Sequence, residues 1–94
     1  MMKPLPAERE KNVRFELAAE PGGRVFVAGT FNNWNPAANP LKDDPSSGHF
    51  KATLGLPSGT HEYKFVVNGV WTVDPKCADW APNAYGGLNS VLHV

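Results

Sequence analysis

Residues 60–74 read THEYKFVVNGVWTVD, two apolar-rich runs separated by Asn68-Gly69. A two-residue hairpin loop of type I′ needs positive φ at both central positions, and Asn-Gly meets that need at low cost. The loop sets the register. Val67 opposes Val70, Val66 opposes Trp71, and Lys64 opposes Val73. Directly opposed residues lie on one side of a sheet, as do residues two apart along a strand. Lys64, Val66, Trp71 and Val73 therefore share one face. Tyr63, Phe65, Val67, Val70 and Thr72 share the other, which carries more apolar bulk and is expected to face the core.

The flanking sequence extends this pattern. VRFELA (13–18) alternates with Val13, Phe15 and Leu17 inward, and PGG (21–23) turns the chain. RVFVAG (24–29) is a short apolar run suited to a central strand. HFKATLGL (49–56) alternates with Phe50, Ala52, Leu54 and Leu56 inward, PSG (57–59) turns, and NSVLHV (89–94) forms a last strand. Residues 30–48 read mostly as loop with a short strand at Leu41-Lys42, and residues 75–89 as a long Pro/Gly/Asn loop. No segment keeps a helical period. About seven short strands with frequent turn signals define an all-β chain, an antiparallel β-sandwich. Residues 1–10 are polar with two prolines and are expected to form a flexible lead, leaving 11–94 as a single module.

Composition narrows the function classes. The chain has 94 residues and a formal net charge of zero, with scattered basic residues. Nucleic acid and anionic membrane surfaces are poor partners for such a chain. No apolar run approaches the ~20 residues of a membrane span, and nothing resembles a signal peptide. Cys77 is the only cysteine, so no intramolecular disulfide forms and a reducing cytoplasm is the expected setting. His49, His61 and His93 lack metal-ligand spacing. No cofactor is expected.

Trp34 raises a separate question, because it sits among turn-forming residues in GTFNNWNP (29–36). Trp71 and Lys64 are diagonal neighbours on the less apolar face of the hairpin. One face of a glucose ring is lined by C–H groups and its edge carries hydroxyls. A rigid indole covers the C–H face at small entropic cost, and a lysine donates to the hydroxyl rim. In the competing reading, Trp71 caps the core edge and Lys64 is a solvated sheet charge. The geometry leaves both open.

GTFNNWNP, LPSGTHEYKFVVNGVWTVDP and NAYGGLNSVLHV, in that order, resemble carbohydrate-binding module family 48. This glycogen- and starch-binding module occurs in the β-subunit of AMP-activated protein kinase and in glycogen branching and debranching enzymes. The resemblance covers roughly residues 12–94 and implies an immunoglobulin-like sandwich of the early-set type. It implies that Trp34 and Trp71 stack on glucose rings of an α-1,4-linked chain, and that Lys64 and Asn89 bond sugar hydroxyls. A loop side chain, often leucine, presses on the sugar in the family; Tyr85 stands there, a departure. Gly87 is another, since kinase modules often place threonine at that position.

The remaining candidates read as structural. Phe31 is expected to anchor the Trp34 loop to the core, with Asn32 and Asn33 shaping the turn through side-chain to backbone bonds. Trp80 is expected to pack beneath the 75–89 loop, the alternative being an extension of the platform. Cys77 is a bystander. Glycoside hydrolysis needs two carboxyl groups across the scissile bond. Asp74 falls on the core side by the hairpin register, and Glu62 lies a strand-length from Trp71, so no catalysis is expected. The expected partner is an α-glucan: glycogen, starch or a maltooligosaccharide. The alternative is an interaction module that docks onto a glycogen-metabolism enzyme or kinase.

Overall fold

The computed structural model describes residues 10–94. The expected lead, save Glu10, lies outside them. The strands are β1 (Lys11–Ala18), β2 (Val25–Gly29), β3 (Pro40–Asp44), β4 (His49–Leu56), β5 (Thr60–Val67), β6 (Val70–Thr72), β7 (Trp80–Pro82) and β8 (Leu88–His93). A single 3-10 turn, Thr30–Asn32, follows β2.

All pairings are antiparallel, and the strands run β1-β4-β3-β2-β5-β8-β7, with β6 also on β5. β3 makes the corner between the two layers. Its Pro40 and Leu41 pair with β2, while Lys42–Asp44 pair with β4. The result is the all-β, immunoglobulin-like sandwich expected. Its core draws on both layers: Phe15, Leu17, Phe50 and Leu56 from β1 and β4, and Val25, Val27, Tyr63 and Phe65 from β2 and β5. Phe15 spans the layers, meeting Tyr63 edge-on at 5.1 Å and Phe65 at 6.5 Å between ring centroids. Such T-shaped pairs add attraction beyond area burial.

The hairpin forms as its sequence predicts, with Phe65 opposite Thr72, Val66 opposite Trp71 and Val67 opposite Val70. Asn68 and Gly69 hold φ of 49° and 84°. Asn68 also ties the turn to the chain before β2, accepting from the Arg24 N–H at 2.9 Å through Oδ1. Val70, expected to face the core, is 64% exposed beside the turn, and two further expectations fail. Val73 does not continue on the face of Lys64 and Trp71; it lines a hollow with Val67, Thr72 and Pro75. The cause is competition for one edge of β5. β8 pairs with Thr60–Tyr63 on that edge, so β6 must leave after Thr72. Asp74 nevertheless reaches the core side, accepting from the Tyr63 hydroxyl at 2.6 Å, and its N–H donates to the Ser90 hydroxyl. Val66 is also more buried than its face predicts, at 4% exposed, because it is flanked on that face by Phe26 and Trp71.

The 75–89 segment is not all loop. Trp80–Pro82 pair with β8, and Trp80, Pro82, Leu88 and Ser90 fall on one side of that ladder. Trp80 is 52% exposed. It does not pack beneath the loop, and it does not line the cleft described below. β7 lies at the end of the strand order, so among the described residues no strand pairs with its outer edge. Cys77 is half-buried, its thiol donating to the carbonyls of Asp79 and Val91.

Candidate functional site

A cleft of about 810 Å³ lies over the place where β6 gives way to β8 on the edge of β5. Its lining brings together all five residues singled out in the sequence: Trp34, Lys64, Trp71, Tyr85 and Asn89. Thr30, Glu62, Asn83 and Ala84 complete it.

The β5 and β6 contributions follow from strand alternation. Glu62 and Lys64 are two apart on one face, and Trp71, opposite Val66, continues that face onto β6. Trp71 is 43% exposed. Asn89 projects from β8 on the same side, since its neighbour Ser90 faces inward opposite Tyr63.

Trp34 is placed by a strained turn. Asn33 and Trp34 both adopt left-handed backbone, with φ of 57° and 56°. For a tryptophan this costs on the order of 1–2 kcal/mol. Asn32 holds the turn against that cost. Its Oδ1 accepts from the Gly29 N–H at 2.9 Å, and its Nδ2 donates to the Val27 carbonyl and to Asn39 Oδ1. The Trp34 N–H closes the loop onto the Gly29 carbonyl at 2.9 Å. Asn32 thus does what the sequence predicts, whereas Asn33 contributes a left-handed backbone. Phe31 packs on the core, 5.7 Å from Phe15 between centroids. Gly29 makes this possible: a Cβ there would stand 2.5 Å from the Glu62 carbonyl and 2.6 Å from the Phe31 ring.

Tyr85 stands at the tip of the β7–β8 connection and is 95% exposed. Asn83 builds that tip. Its Oδ1 accepts from the Tyr85 and Gly87 N–H groups at 2.9 and 3.0 Å, and its own N–H donates to the Gly87 carbonyl. Gly86 supplies the left-handed residue, φ 82°. Below the tip Asn89 is 7% exposed, bonded to both Asn83 and Glu62.

Thr30 and Asn83 escape the sequence reading, and Glu62, read there as a strand-length from Trp71, lines the same cleft as that ring. Glu62 carried a signal, because two-residue periodicity puts it on the face of Lys64. Asn83 carried another, as an Asn before Ala-Tyr-Gly-Gly is a turn former. Thr30, which accepts from the Glu62 N–H at 3.2 Å, carried none.

Fold and cleft together define an immunoglobulin-like β-sandwich with an open, aromatic-edged surface site. Its sequence relatives make that class specific. The chain belongs to the family described as the glycogen recognition site of AMP-activated protein kinase, whose pattern matches residues 12–94. It is 37% identical over 93 residues to the 5′-AMP-activated protein kinase subunit beta-2 of Homo sapiens and of Mus musculus, covering 99% of this chain. It is 40% identical over 73 residues to the subunit beta-1 of Sus scrofa, covering 78% of this chain and 56% of that protein. The chain spans 32% of the length of the beta-2 subunits.

Proposed function

We propose that this domain binds α-1,4-linked glucan without transforming it. Trp34 and Trp71 stack on glucose rings, Lys64 and Asn89 bond hydroxyls, and Tyr85 braces the sugar chain from the loop tip. The observation that carries this reading is the convergence of these five residues, from three strands and two connections, on one cleft. Glycogen, starch and maltooligosaccharides are the ligand class. Membership of the glycogen recognition family supports the same reading. The strain held at Trp34 is also consistent with it, since backbone strain gathers where a side chain must be presented.

The cleft is open and preformed, so little ordering accompanies binding. A few stacked rings must offset the lost freedom of a flexible oligosaccharide, which places affinity on the order of micromolar to millimolar. Trp71→Ala is expected to abolish co-sedimentation with glycogen while leaving the circular dichroism of the sheet unchanged. Full retention would contradict the site. Hydrolysis requires two carboxyl groups facing the bond; among the described residues Glu62 is the single carboxylate lining the cleft, and Asp74 is turned to Tyr63. The purified protein is therefore expected to release no reducing sugar from glycogen.

A second reading, docking onto a partner enzyme or kinase, is favoured by Trp80 and Leu88. They are 52% and 44% exposed, on the side of β7–β8 opposite Asn89. The relatives are kinase subunits by name. Trp80→Ser is expected to leave glycogen retention intact, which separates the two surfaces. We place the domain in the cytoplasm, in keeping with its lone cysteine.

A further inference from the structure

The hydrogen bonds beneath the cleft run in one direction. The Tyr85 and Gly87 N–H groups donate to Asn83 Oδ1. A main-chain N–H can only donate, so the atom facing it must be the amide oxygen. Asn83 Nδ2 is left to donate onward, and it meets Asn89 Oδ1 at 3.1 Å. Asn89 Nδ2 then meets Glu62 Oε1 at 3.0 Å. An ionised carboxylate can only accept. Both ends of the chain are thus groups with no choice of role, and both amides between them are fixed. Asn89, 7% exposed, keeps one further amide hydrogen and one lone pair beyond these two bonds, and it lines the cleft.

This order has a chemical consequence at the ligand surface. Glu62 spends one oxygen on Asn89 and lines the cleft, and among the described residues it forms no ion pair. Lys64 lines the same cleft two residues along the strand, roughly 7 Å on by strand geometry. The cleft therefore offers an acceptor that cannot donate beside a donor that cannot accept.

We propose that Glu62 is a ligand-contacting, specificity-determining residue. It accepts a hydrogen bond from one sugar hydroxyl while Lys64 Nζ donates to another hydroxyl of the same diol. Asn83 is a positioning residue that holds Asn89 and Glu62 in this order. The inference rests on the α-glucan reading and deepens it: the paired charges favour a neutral polyhydroxylated ring and disfavour a saccharide whose carboxylate or phosphate would meet Glu62.

The test uses thermal melting without ligand and titration with maltoheptaose, on the unaltered protein and four variants. Glu62→Gln keeps the shape and still accepts from Asn89, but presents an amide to the cleft. Its melting is expected to be unchanged and its Kd for maltoheptaose raised about tenfold, the loss of one charge-assisted hydrogen bond. An unchanged Kd overturns the contact. Asn83→Asp still accepts from the two backbone N–H groups but turns an oxygen toward Asn89 Oδ1, so melting falls. Adding Glu62→Gln lets the whole chain run in reverse, and melting recovers. Adding Glu62→Leu instead removes the charge without supplying a donor, and melting stays low. No recovery with Glu62→Gln, or equal recovery with Glu62→Leu, overturns the directional chain. The melting comparison needs no sugar, so it stands apart from the glucan reading. If the unaltered protein fails to bind maltoheptaose, that reading and the Glu62 contact fall together. If it binds and Glu62→Gln binds equally, the contact alone falls.

Discussion

Trp34 shows how a single residue is made available against its own preferences. A large apolar ring in a left-handed conformation is doubly unfavourable, and three side-chain bonds from Asn32 hold the turn that imposes it. Asn32→Ala is therefore expected to cost about 2–3 kcal/mol of stability, at about 1 kcal/mol per part-buried bond. Chemical denaturation measures this, and glucan affinity should fall with it as Trp34 loses its seat. Gly29→Ala is expected to be worse for the loop, because no rotamer of Phe31 relieves the approach to the Glu62 carbonyl. At this scale the sequence is informative where chemistry is unusual. Trp34, Trp71, Lys64, Tyr85 and Asn89 are singled out by motif and register, and they line one cleft. Asn33 is legible as a turn former but not in its means, since backbone and side-chain roles look alike in sequence.

Elements are legible where a turn sets their register locally. The Asn68-Gly69 loop fixes the partners of three residue pairs. Gly69→Ala is expected to lose on the order of 1–2 kcal/mol, because φ of 84° suits no residue with a Cβ; an urea melt compared with the unaltered protein checks it. The register fails at Val73 for a non-local reason. Only the arrival of β8 on the same edge of β5 shows that β6 must stop. β7 was hidden in the same way. Three residues ending in proline carry no alternation, and the strand exists because β8 offers an edge. Trp80 follows from this, its burial having been inferred from size when its strand lies at the border of the sandwich.

At the scale of the whole molecule, the fold class was legible because β1, β4 and β5 carry their own alternation and turn signals separate the runs. The part of the cleft lined by Thr30 and Asn83 was not, because it lies where segments distant in sequence meet. The Tyr63–Asp74 bond joins the two scales, locking the end of the hairpin onto the core. Burial, reinforced by the hydrogen bond to Asp74, raises the Tyr63 hydroxyl above its ordinary value. A proton held more tightly in the folded chain stabilises fully below the ordinary tyrosine value of about 10, and that stability is lost as pH rises above it. Melting temperatures are therefore expected to fall above that pH. Tyr63→Phe should lower stability at neutral pH and flatten the alkaline decline. Glucan affinity should change little between low and high salt, because the ligand is neutral.

Under the proposed function, Trp34 and Trp71 meet glucose rings in one cleft. Titration of maltoheptaose against intrinsic tryptophan fluorescence tests it most directly. Trp71 is 43% exposed and Trp34 half-buried, so covering their faces should change the emission. A saturable change is expected, with a midpoint on the order of micromolar to millimolar, lost in Trp71→Ala. Emission that stays constant up to saturating sugar, or changes equally in Trp71→Ala, would contradict it.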